Sequence, residues 1–139
     1  MNEEYGIKYE ERLKQIVSFD DMIYNGNIRP TDIDGLIEFH DKAYIIFDVK
    51  SGSAVVPFGQ KLALERMVCD WRQARKEAIG IICEHNIHDT NEQVIAKNCE
   101  VREYFNGANW CKPIKPIKLG EAIEQYLSRK FPNEFIKSS

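Results

Sequence analysis

Histidine and closely spaced cysteine are scarce in this chain. It has three histidines and four cysteines (Cys69, Cys83, Cys99 and Cys111), and no two cysteines form a Cys-x-x-Cys pair. That excludes a zinc ribbon or a thioredoxin-like redox motif. Scattered thiols suit the reducing cytoplasm, which is the expected location. "CEHNIHD" places Cys83, His85 and His88 close together, but no fourth ligand has zinc spacing. No apolar run approaches the roughly 20 residues of a membrane span, so no membrane partner is expected. The opening "MNEEYGIKYEE" is too acidic and polar for a signal peptide. A large excess of one charge is also missing. Nineteen basic against 22 acidic residues leave −3, which argues against non-specific coating of nucleic acid.

The 139 residues, 43% of them hydrophobic, suit one domain spanning 1–139 with a real core. Apolar spacing predicts a first helix over 8–24, ended by Asn25-Gly26-Asn27. "DIDGLIEF", the turn "HDK" and "AYIIFDVK" predict an antiparallel hairpin. "QKLALERMVCDWRQARKEA" predicts an amphipathic helix, with Leu64, Met67, Val68 and Trp71 on one face. "IGIICE" reads as a central strand, "EVREYF-NG-ANW" as a hairpin with Trp110 packed in it, and "LGEAIEQYLSRKF" as the last helix. The expected order is α-β-β-α-β-(β-β)-α, an α/β domain with a mixed β-sheet flanked by helices.

One strand end breaks the apolar pattern. In "FDVKSG", Asp48 and Lys50 share a face, while Ile45, Phe47 and Val49 take the other. If the turn centres near Asp41, residues whose numbers sum to roughly 82 are partners, so Asp34 meets Asp48. This needs an odd-length turn or a bulge; an even turn puts Asp34 on the wrong face. Two carboxylates side by side repel unless one is protonated or a cation sits between them. Mg²⁺ takes one or two carboxylates from protein and fills the rest with water and substrate phosphate. A lysine beside it can align a water or neutralise charge on a phosphate. The chemistry that fits is metal-assisted phosphodiester hydrolysis.

The pattern "RPTDIDG … FDVK" resembles the PD-(D/E)xK nuclease superfamily, over roughly residues 8–85. The resemblance implies a restriction-endonuclease-like core and a Mg²⁺-dependent deoxyribonuclease, with Mn²⁺ able to substitute. It implies Asp34 and Asp48 as metal-binding acids, the Val49 carbonyl as a further ligand and Lys50 as the catalytic lysine. Gln60, at the start of the next helix, matches a glutamine of several branches. Of Glu10 and Glu11, Glu11 is the choice for a helix-one glutamate. Asp32 competes with Asp34, and Leu64 stands where exonuclease-like branches have tyrosine. The implied partner is DNA, with RNA not excluded, and a homodimer would let a small domain cut two strands. Small free-standing domains of this kind suit a phage or other mobile element.

Arg72, Arg75 and Lys76 are the candidates for binding nucleic-acid phosphate, although such a face is often only solvated. A reading of another class is a catalytically inactive nuclease-like module that binds a partner protein or nucleic acid, such as a phage counter-defence protein.

Overall fold

The structure is a computed structural model, and it describes residues 17–137. Within 17–30, Tyr24 and Ile28 form a short antiparallel bridge around Asn25 and Gly26, both with positive φ. The expected helix does not extend through this stretch: residues 17–24 are irregular, and 8–16 lie outside the described residues. Local bonds compete with a helix here. Ser18 Oγ accepts the Asp20 N–H at 3.2 Å, and the Met22 N–H turns back to the Phe19 carbonyl.

From Thr31 onwards the chain forms a compact unit. Its elements are β1 (Gly35–Phe39), β2 (Ala43–Ser51), α1 (Phe58–Gln73), β3 (Glu77–His85), β4 (Glu100–Phe105), β5 (Trp110–Cys111) and α2 (Leu119–Lys130). The order among the described residues is therefore β-β-α-β-β-β-α. The five strands form one mixed sheet, ordered β1-β2-β3-β4-β5. β2 and β3 run parallel and the other neighbours antiparallel. This follows from the connections: three residues join β1 to β2, whereas α1 supplies the long crossover to β3.

Each face of the sheet has its own core. Ile46, Ala78, Ile82 and Phe105 pack with Leu64 and Val68 of α1. Ala43, Ile45, Ile81, Cys83 and Val101 pack with Leu119 and Leu127 of α2. β3 lies in the middle and is apolar on both faces, as its nearly unbroken hydrophobic run requires. Among the described residues, no helix is long and apolar enough to cross a membrane.

α1 is shorter than its apolar pattern suggests, because it does not run on to Ala78. Arg75 adopts φ 68°, the Arg75 N–H bonds the Arg72 carbonyl and the Lys76 N–H bonds the Trp71 carbonyl. This is a Schellman ending with arginine where glycine is usual, so composition did not announce it.

Candidate active site

The β1–β2 turn occupies His40–Lys42, and both His40 and Asp41 have positive φ. Its odd length sets Gly35 opposite Phe47 and Phe39 opposite Ala43. The paired register ends at Gly35, and the next residue outward, Asp34, has its carboxylate close to that of Asp48. Asp34 lies just before β1, so its side chain, not a paired strand, meets the end of β2: Asp34 Oδ2 accepts the Val49 N–H at 2.6 Å. A strand residue directs its N–H and C=O to the same side, so the Val49 carbonyl faces this opening as well. The next residue is Gly35, where a Cβ would stand 2.1 Å from Cζ of the Phe47 ring, so a larger residue would force that ring to move.

Asp48 lies on the α1 face and is only 2% exposed. Lys50 Nζ lies 2.9 Å from Asp48 Oδ2, an ion pair whose acid partner is almost fully buried. Burial raises the Asp48 pKa; Lys50 pulls it down, and the Asp34 carboxylate pushes it up again, for a net rise. The carboxylate pair is thus held together against its own repulsion.

Gln60 opens α1 as a buried polar residue, 7% exposed. Its Nε2 donates to the Asp32 carbonyl, tying the first turn of α1 to the segment that carries Asp34, while its Oε1 has no partner. Asp32 contributes its main chain, and Asp34 contributes the carboxylate. Asp34, Asp48, Val49 and Lys50 are therefore brought together, and Gln60 is tied to them only through the Asp32 main chain. Glu11 lies outside the described residues.

Arg72, Arg75 and Lys76 are placed elsewhere. α1 runs back from the site, and Arg72 stands about 18 Å beyond Gln60 along the helix. Arg72 donates to the Ala78 carbonyl and packs over Gly107, where a Cβ would meet its Nε at 2.5 Å. Arg75 forms the helix ending, and Lys76 pairs with Asp41 at 2.7 Å beside the hairpin turn. Trp110 packs against Phe105 and donates to Glu65, with Lys61 over its ring.

Cys83 is fully buried, and its thiol is pushed up to about 12, chiefly by burial. It is a core residue, not a zinc ligand. Among the described residues, no group of three His, Cys, Asp or Glu side chains converges as a metal cluster. Two carboxylates plus a carbonyl is nonetheless a donor set of the hard-oxygen kind that Mg²⁺ accepts, with the Lys50 ammonium already 2.9 Å from Asp48 Oδ2. A groove of about 820 Å³ opens on the other face, between α2 and the sheet; none of these residues lines it, and Glu121 is the one carboxylate in its lining.

Sequence reading missed Glu84 and Arg102. Arg102 Nε meets Glu84 Oε1 at 2.6 Å, and its other nitrogens hold the Gly52 and Ala54 carbonyls of the loop that leaves Lys50. The charged end of the apolar β3 run was the available signal. No family model matches the chain, and no curated protein or solved structure matches it significantly.

Proposed function

We propose that the chain is a Mg²⁺-dependent nuclease that hydrolyses DNA phosphodiester bonds on a restriction-endonuclease-like core of the PD-(D/E)xK type. The observation that supports this reading is the buried Asp48 beside the Asp34 carboxylate, with Lys50 Nζ 2.9 Å from Asp48 Oδ2. A natural strand end has little reason to bury Asp48 beside the solvent-facing carboxylate of Asp34 unless positive charge offsets the two. Asp34, Asp48 and the Val49 carbonyl would hold that cation, which when bound would polarise a phosphoryl oxygen and offset the carboxylate repulsion.

Lys50 supplies fixed positive charge at the place where charge grows on the phosphate, and its protons can orient the attacking water. Hydrolysis forms one P–O bond from that water and breaks one to the leaving sugar oxygen, which takes up a proton. Gln60 keeps the Asp34 segment in place through the Asp32 carbonyl. The decisive experiment incubates supercoiled, linear and branched DNA with the protein and Mg²⁺ or Mn²⁺, beside Asp48→Ala. Metal-dependent cleavage by the wild type, lost in the variant, is expected. No cleavage of any substrate, or equal cleavage by the variant, overturns the reading; DNA binding retained without cleavage would point to the non-catalytic module.

A further inference from the structure

Lys50 has a second carboxylate within reach. In the parallel pairing of β2 with β3 it stands opposite Glu84. Both residues lie on the α1 face, in phase with Ile46 and Ile82, which pack there. A lysine and a glutamate placed side by side across a strand pair attract each other. Yet Lys50 contacts Asp48 at 2.9 Å, and Glu84 is taken by Arg102 at 2.6 Å.

A bulge puts Arg102 there. Ile82 pairs with Glu103, but Cys83 pairs with Val101, which leaves Arg102 as an extra, unmatched residue of β4. Without the extra residue, the alternation from Phe105 and Glu103 would put position 101 on the α1 face. The bulge sends Val101 into the α2-side core and frees Arg102 to reach Glu84. The rest of its guanidinium donates to the Ala54 carbonyl at 2.7 Å and the Gly52 carbonyl at 2.8 Å. A rigid fork with five donors can do both tasks at once.

We propose that Arg102 is a positioning residue: by occupying Glu84 it keeps Lys50 on Asp48 and therefore at the reacting phosphate. The catalytic consequence rests on the nuclease reading; the placement of Lys50 does not. The test is a cycle of Arg102→Gln, Glu84→Gln and the double variant, made in the full chain and read in two ways.

In crystals of Arg102→Gln, Lys50 Nζ is expected within about 4 Å of the Glu84 carboxylate. Lys50 still on Asp48 overturns the proposal. In Mg²⁺-dependent DNA cleavage, Arg102→Gln is expected to slow the reaction by about tenfold or more, and Glu84→Gln to stay near wild type. The double variant is expected to regain most of the loss, because a glutamine does not compete for the ammonium. A loss that persists in the double variant overturns the proposal and leaves Arg102 only as the clamp of the 52–54 loop. Wild-type protein that cuts no DNA sinks the nuclease reading alone, since the crystals still judge where Lys50 goes. If Arg102→Gln does not fold, Arg102→Lys keeps a charge on Glu84, and Lys50 should stay on Asp48; a shift to Glu84 there overturns the proposal.

Discussion

Strand β2 has an aspartate–lysine pair near each end. Beside the hairpin turn, Lys76 Nζ lies 2.7 Å from Asp41, whose side chain is 83% exposed. At the other end, Lys50 Nζ lies 2.9 Å from Asp48, whose side chain is 3% exposed. The distances are alike and the physics is not. Water screens the first pair, so it contributes about 0–1 kcal/mol. The second has been taken out of water beside another carboxylate, where desolvation offsets much of the attraction. The first pair tethers the turn locally; the second lies where the proposed metal site would be.

The contrast can be broken most directly by activity. Asp48→Ala should lower Mg²⁺-dependent cleavage by about 10³-fold or more, while Asp41→Ala should leave it within about twofold. Comparable losses in a plasmid-nicking assay would erase the distinction. Mg²⁺ should also stabilise the folded chain, by about 2.7 kcal/mol at a hundred times its Kd, and Asp48→Ala should abolish that gain. Thermal melts with and without Mg²⁺ measure it.

The metal-free protein carries a pH signature as well. The Asp48 pKa is raised in the folded state, first by burial. The folded state therefore holds the Asp48 proton over a range where the unfolded chain has lost it. Stability should fall as pH rises from the ordinary aspartate range through the raised value, and stay lowered above it. Urea titrations across pH should show this slope in the wild type and a flatter one in Asp48→Asn.

The turn end should respond least. Arg75 sits at φ 68°, so Arg75→Gly should stabilise by about 1 kcal/mol. Lys76→Ala should cost less than about 1 kcal/mol in chemical denaturation.

Much of this was legible in the residue pattern. The unbroken apolar run of β3 marked a central strand, and the period of Leu64 and Val68 marked a helix with one buried face. The hairpin register from Gly35–Phe47 to Phe39–Ala43 was legible because it is simple arithmetic once the turn is known to be odd. Other features were hidden for definite reasons. The end of α1 depended on an arginine taking a conformation usual for glycine, and Ser18 turned its segment to local bonds instead of helix. The bulge at Arg102 was invisible because a lone arginine in "EVREYF" fits a regular strand equally well.

By itself the sequence determined the alternation that puts Asp48 and Lys50 on one face and the hydrophobic runs that build the sheet. These are local properties of period, size and polarity. Only the tertiary structure decided how deeply Asp48 is buried, that Gln60 closes on the Asp32 carbonyl, and that Arg102 takes Glu84 away from Lys50. It also decided that Arg72, Arg75 and Lys76 stand at the far end of α1. Burial, charge competition and distance are set by segments remote in the chain, and no local pattern contains them.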